Sequence, residues 1–363
     1  MSSSSTLFED SFESRQNDLT FDPAIHLAYQ APKERLTMDQ LNLSQNKAPS
    51  RVGVTSPFPL ASLEGVKALR ADILQKRVLD NHMMQSGIAG PHAQLRGMAP
   101  EAAQFVQQFW THPATLAAVS EAAGEDLVPV FDLELGHTNI QIPDGSDRRT
   151  YLDSLPVDPF AKDKNKKLAA PAKDEKEPKV VVGYHRDAYP WVCVLMLSDV
   201  SDMIGGETEI RRGDGTTIKA MGPGIGNCVM MQGGYIEHCA LPARGASERI
   251  TMVTSFRPRN KVYRDLTDLR NIRDCSNLYE LHDQFLRSRL DIVQETLNAY
   301  RHNLAHRRHD VEVAYGKRGG IKREIVDKRE IQGLIDFFTN TLTNAMEQMP
   351  DLKNAHEERA SKL

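Results

Sequence analysis

Between residues 127 and 258 the chain is cut into apolar runs too short for stable helices, and this restricts the fold more than any other feature. The runs fall at 128–135, 138–142, 180–185, 191–197, 208–211, 216–220, 227–231 and 250–256, rich in Val, Ile, Thr and Leu. Gly, Asp and Pro punctuate them, and no helix-length segment alternates with them as a βαβ chain would require. Short strands punctuated in that way predict a sandwich or a jelly-roll core. One stretch, 144–179, breaks the rhythm. Its lysine-dense segments at 162–167 and 173–179 predict a solvated insertion, either a lid or a tolerated surface loop.

The flanks have a different period. Residues 1–50 are polar and predict an arm without a core of its own. In 51–126, Leu63, Val66, Leu69 and Ile73 recur at helical spacing behind Ser62, a good N-cap. A second helix is expected from Pro100 through Phe105 to Trp110, and a third from Thr115 to Ala123, stopped by Gly124. Residues 127–259 form the expected core. From 260 to 363 the pattern is helical, with one apolar stripe through Leu281, Phe285, Val293 and Leu297 and another through Ile331, Ile335, Phe338 and Leu342. Glycines 316, 319 and 320 separate the two, and Asp327-x-x-Glu330 predicts a capping box on the second. Such stripes can close on each other, on the core, or on a second copy as a homodimer. The fold expected is therefore α+β, a jelly-roll core with N-terminal buttressing helices and a C-terminal helical extension.

Composition excludes several classes of function. Hydrophobic residues are 40%, charged residues 26% and the formal net charge is -4, so no nucleic-acid partner is expected. No apolar window is long enough for a membrane span. Cys193, Cys228, Cys239 and Cys275 are too few and too irregular for a disulfide framework, and predict buried thiols in a reducing compartment. Ser361-Lys362-Leu363 is the tripeptide read by the peroxisomal import receptor; if Leu363 is the natural end, a peroxisomal address is expected, and otherwise a cytoplasmic one.

The candidate chemistry begins at Tyr184-His185-Arg186-Asp187. On an extended chain, positions i and i+2 share a face, so His185 and Asp187 project together while Arg186 points away and Tyr184 turns from His185 to pack in the core. A histidine from a distant strand would complete a two-histidine, one-carboxylate site with open coordination positions, and His238 follows a Gly-rich turn and strand suited to present it. Arg249 lies eleven residues further on, at the head of Arg-Ile-Thr-Met-Val-Thr-Ser-Phe. A guanidinium in an apolar strand needs an anion. A ligand carboxylate fits its planar fork, with Thr251 on the same face adding a hydroxyl. An ion pair with Glu248 or Glu207 would serve as well. His137, Asn139 and Gln141 put three polar groups on one face of another strand, of which Asn139 is the favoured ligand contact. Tyr189 and Trp191 line a pocket or fill core. His302 and His306 have metal-ligand spacing but lack a third partner, and predict a solvated helix face.

Taken jointly, His185-x-Asp187, His238 and Arg249-x-Thr251 resemble the iron(II)/2-oxoglutarate dioxygenase superfamily. Gly205-Gly206-Glu207-Thr208 looks like a turn of its prolyl-hydroxylase-like branch. The resemblance covers roughly 180–258. It implies a double-stranded β-helix, iron(II) on His185, Asp187 and His238, 2-oxoglutarate on Arg249, and O2 as oxidant. It implies oxidation of a small organic substrate, by default hydroxylation, with release of succinate and carbon dioxide. Two other readings compete: a cupin-like metalloenzyme that does not use 2-oxoglutarate, and a non-catalytic jelly-roll binding module.

Overall fold

The computed structural model describes residues 19–43, 48–84, 92–99, 101–143, 145–161, 168, 182–220, 224–259 and 267–349. Most of the polar arm's first half, the lysine-dense part of the insertion and the Ser361-Lys362-Leu363 tail lie outside them. The chain divides into two units, Met1–Asn277 and Leu278–Leu363.

The first unit is α+β and its sheets are antiparallel. A ten-stranded sheet runs in the order Arg35–Thr37, Val52–Thr55, Asn227–Met231, Trp191–Met196, Ile250–Pro258, His137–Ile140, Ala93–Leu95, Met83–Met84; Phe58–Pro59 and Leu127–Pro129 pair with it to the side. A four-stranded sheet runs Thr217–Ala220, Thr208–Arg211, His238–Ala240, Val182–His185. Trp191–Met196 is hydrogen-bonded on both edges, by Asn227–Met231 and by Ile250–Pro258. Every residue from Trp191 to Cys193 is therefore buried, and the strand reads as a continuous apolar run without alternation.

Helices Leu63–Ile73, Gln104–Thr111 and Pro113–Ala123 bury Val66, Leu69, Phe105, Phe109, Trp110 and Val119 in the same core as Trp191 and Phe256. Each large side chain so buried contributes ~2–3 kcal/mol. Ser62 caps the first helix, its hydroxyl accepting from the Gly65 amide at 3.0 Å. Gly124 ends the third in the left-handed region (φ 65°), as its sequence position required. The second helix starts at Gln104 and not near residue 100. The amides of Ala102 and Ala103 both bond the Met98 carbonyl, a turn that delays the helix, and Ala103 is not helical.

The run expected as one strand over 128–135 is broken as well. Leu127–Pro129 and His137–Ile140 pair with opposite ends of Ile250–Pro258, and between them Asp132–Glu134 forms a 3₁₀ turn. Gly136 (φ 69°) closes it by donating its amide to the Thr254 hydroxyl at 2.9 Å. The turn swings Glu134 inward, where it becomes part of the site described below. All four cysteines are buried and free.

The second unit is helical and begins at Leu278, later than residue 260. Leu278–Gly319 is interrupted at Gly316 (φ 66°), and Lys328–Gln348 follows. The Asp327 side chain caps the second helix by accepting from the Arg329 amide. The reciprocal arm of the expected capping box is absent, because Glu330 grips Arg307 instead, at 2.7 and 2.8 Å. Ile331, Ile335 and Leu342 stay exposed along one stripe. His302 and His306 are exposed on their helix, as a solvated face predicts.

Candidate metal and anion site

His185 ends strand Val182–His185, and its register partner on the adjacent antiparallel strand is His238. The two imidazoles therefore stand side by side, ring centroids 4.5 Å apart. Asp187 follows two residues after His185, its backbone amide bonded to the Gly233 carbonyl at 3.0 Å. A nitrogen from each ring and a carboxylate oxygen all fall within 4.8 Å of one another, the one such cluster among the described residues.

The second nitrogen of each ring is already committed. His185 Nδ1 lies 2.8 Å from the Gly183 carbonyl and His238 Nδ1 3.0 Å from the Ile236 carbonyl. A carbonyl only accepts, so each Nδ1 carries the proton and each Nε2 presents a lone pair. Those lone pairs face the carboxylate, at 3.4 Å from Asp187 Oδ1 and 3.7 Å from Oδ2. Asp187 Oδ2 is buried and accepts no hydrogen bond. Two bare nitrogens and an unsatisfied oxygen converging in this way fit a divalent cation, with backbone carbonyls fixing the ring orientation.

The electrostatics agree. Burial pushes the Asp187 carboxyl up, but His238 and His185 outweigh it and hold it below the usual range, ionised. Burial pulls the His238 imidazole down, so it stays neutral. At His185 burial acts in the same direction, yet the neighbouring Asp187 carboxylate favours a second proton on the metal-free ring and raises it. Gly233 is the residue that gives the carboxylate room: a Cβ there would sit 1.7 Å from Asp187 Oδ2.

The large sheet supplies the facing wall of a cavity of about 180 Å³, lined by all six residues singled out from the sequence: His185, Asp187, His238, Arg249, Thr251 and Asn139. Thr251 pairs with Asn139 across the strands, and Asn139 Oδ1 accepts from Gln94 Nε2 at 3.0 Å. Arg249 is 7% exposed. Among the described residues the guanidinium makes one hydrogen bond, from Nη2 to the Gly206 carbonyl at 3.3 Å, and Nε has no acceptor. Glu248, the neighbour that could have neutralised it, is taken by Arg70, which binds both carboxylate oxygens from a fully buried position. Among the described residues no carboxylate forms an ion pair with Arg249. Burial alone pulls its guanidinium down to about 10. The glycine turn therefore serves the site directly: Gly206 (φ 78°) turns its carbonyl to Arg249, and a Cβ there would lie 3.4 Å from Nε.

Several cavity residues went unread in the sequence. Arg96 is buried and bonds Glu134 and His137, and Tyr189 donates to Glu134 at 2.9 Å. Nothing periodic joins these positions; the polar face shared by His137 and Asn139 was the one available signal. Tyr189 lines the cavity, whereas Trp191 fills core. Tyr184 points away from His185 but not into core. It is half-buried under Arg211, 4.1 Å from ring centroid to guanidinium, and bonds Glu209.

No family model matches the sequence, and no curated protein matches it. Similar solved structures include a Pseudomonas putida prolyl-4-hydroxylase (18% identity, TM-score 0.31, 55% of this chain and 89% of that one). A member of the 2OG-Fe(II) oxygenase family from Burkholderia pseudomallei is 13% identical over 53% of this chain and 77% of its own, TM-score 0.33. A non-heme alpha ketoglutarate dependent epimerase from nogalamycin biosynthesis is 14% identical over 61% and 82%, TM-score 0.34. At such TM-scores these likenesses carry no weight for the activity of this chain, and its own side chains must supply it.

Proposed function

We propose that this chain is an iron(II)- and 2-oxoglutarate-dependent oxygenase that oxidises a small organic substrate, releasing succinate and carbon dioxide. One observation carries the proposal: a two-histidine, one-carboxylate cluster shares a cavity with a buried guanidinium that lacks a carboxylate. His185 Nε2, His238 Nε2 and the Asp187 carboxylate would hold iron(II). Bound there with O2 and a keto acid, the metal would supply the oxidising chemistry.

The chain's own residues do the positioning. Arg249 receives the distal carboxylate of 2-oxoglutarate, where a planar fork in a dry pocket gives a bidentate grip, and Thr251 adds its hydroxyl. Asn139, steadied by Gln94 and paired across the strands with Thr251, suits the near carboxylate or the substrate. Apolar walls from Val192, Val194 and Val253 keep water from the reacting atoms. The facing of a four-stranded sheet that carries the triad and a larger sheet that carries Arg249 suits a double-stranded β-helix.

A metalloenzyme without 2-oxoglutarate would leave Arg249 uncompensated, and a binding module would have no use for three converging ligands. Anaerobic titration of metal-stripped protein with iron(II) and 2-oxoglutarate tests all three. The weak visible charge-transfer band of the chelate should appear, and vanish in His238→Ala. Metal binding without the band would favour the enzyme that does not use 2-oxoglutarate, and absence of both would favour the binding module.

A further inference from the structure

The cavity has a second polar end that neither the triad nor Arg249 uses. Along strand Ile250–Pro258 the register partner of His137 is Val253, four residues beyond Arg249 and so ~13 Å from it. Around His137 stand Arg96, Glu134, Tyr189 and Gln94, all lining the cavity. Arg96 Nη1 lies 3.0 Å from His137 Nδ1. A guanidinium only donates, so Nδ1 accepts and the proton of this imidazole sits on Nε2. Among the described residues that buried Nε2–H has no acceptor, and Gln94 Oε1, on the neighbouring strand opposite Asn139, has no donor.

Charge is already balanced at this end. Each Nη of Arg96, the fork that would grip a carboxylate, already bonds a neighbour, Nη1 to His137 and Nη2 to Glu134, while Nε has no acceptor among the described residues. Glu134 Oε1 accepts from both Arg96 and Tyr189, so the charge of this carboxylate is already met by Arg96. The Asp187 carboxylate acts on His137 as the uncompensated negative charge near this end and opposes an anion there.

We propose that this end binds a neutral oxygen function of the organic substrate, a carboxamide or hydroxyl, with His137 Nε2 donating to its oxygen and Gln94 Oε1 accepting from its N–H or O–H. The proposal rests on the oxygenase reading and narrows its substrate class. Arg96 then acts by fixing the tautomer, a positioning role held in place by Glu134.

The test uses full-length protein loaded with manganese(II) and saturated with 2-oxoglutarate. Four probes on one carbon skeleton are added in turn: benzamide, benzyl alcohol, benzoate and benzylamine. Manganese-induced relaxation of the probe protons reads binding near the metal. The neutral probes should bind at least about fivefold tighter than the charged ones. His137→Phe should erase that preference while 2-oxoglutarate affinity stays within about twofold, and His137→Gln, which can accept from Arg96 and still donate, should restore it. Should the phenylalanine variant not fold, His137→Met removes the donor with a more adaptable side chain. Equal binding of the charged probes, no binding of the neutral ones, or a preference that survives loss of the imidazole overturns the proposal. Loss of 2-oxoglutarate binding in the variant also overturns it, because the acceptor would then be the co-substrate. If wild-type protein takes up neither manganese nor 2-oxoglutarate, the oxygenase reading is what fails.

Discussion

Replacing Arg249 by methionine should make the ligand-free protein more stable while nearly abolishing its hold on 2-oxoglutarate. The guanidinium is buried with a single 3.3 Å bond to Gly206 and no carboxylate partner among the described residues. Burial lowers its proton affinity to about 10, roughly two to three decades below an exposed arginine, which corresponds to ~3 kcal/mol of cost to the charged form. Methionine removes that cost and fills most of the same space, at the expense of the Gly206 bond, worth ~1 kcal/mol. The net expected is a gain of ~1–2 kcal/mol in denaturant unfolding of the metal-free protein. Binding should move the opposite way. Loss of a dry, charge-assisted bidentate pair costs ~3–4 kcal/mol, so the dissociation constant for 2-oxoglutarate should rise ~10²–10³-fold. Titration calorimetry on iron(II)-loaded protein under nitrogen reads the second effect. A variant that is less stable than wild type yet binds 2-oxoglutarate equally well would show that Arg249 is a structural residue, and the anion-site argument would be refuted.

Four further outcomes follow from the same geometry. Asp187→Ala should abolish 2-oxoglutarate turnover and lower metal affinity more than tenfold while far-ultraviolet circular dichroism stays unchanged; normal turnover would remove Asp187 from the site. Gly233→Ala should do nearly the same without touching a ligand, because its Cβ would occupy the place of Asp187 Oδ2; unchanged metal binding would mean that the carboxylate points elsewhere. Arg70→Met should cost roughly 3–5 kcal/mol in unfolding experiments, since it strands Glu248 as an unpaired buried charge. The last concerns pH. His137 is lowered to about 3 by burial first and Arg96 second, so it is neutral when folded, whereas the unfolded chain takes up a proton near pH 6.5. Its contribution is thus fully present above pH 6.5 and is lost progressively as pH falls towards 3. Between pH 7 and 5 wild type should lose ~2 kcal/mol more than His137→Gln, and equal losses would contradict the buried neutral imidazole.

What could be read from the sequence, and what could not, divides by the kind of physical rule involved. Strand alternation is local and strict. It placed His185 with Asp187, and Arg249 with Thr251, on shared faces, and the structure puts all four on one cavity. The same rule correctly turned Tyr184 away from His185 but could not say what lies behind it. The four-stranded sheet has a half-exposed outer face, so the tyrosine meets Arg211 and Glu209 rather than core. Periodicity failed at 128–135 for a related reason. Its apolar spacing fits a strand, yet the segment pairs at both ends with one partner strand and must loop out between them.

That loop explains why the second polar end of the cavity stayed hidden. Glu134 and Arg96 are separated by 38 residues, and their pairing follows from a 3₁₀ turn and a three-residue strand that no pattern announces. Taken singly, each is a charged residue best assigned to the surface. Inside the fold they neutralise each other, and the consequence falls on His137, which is held as a donor without an acceptor. A protein that accepts the cost of burying this pair beside an unsatisfied imidazole gains nothing in stability from it, since apolar packing would serve better. The arrangement is rational if the missing acceptor arrives with a ligand. The same logic applies to Arg249 and to Asp187 Oδ2. Among the buried cavity groups without a partner, Arg249, Asp187 Oδ2 and His137 each call for a different chemistry: an anion, a cation and a neutral oxygen.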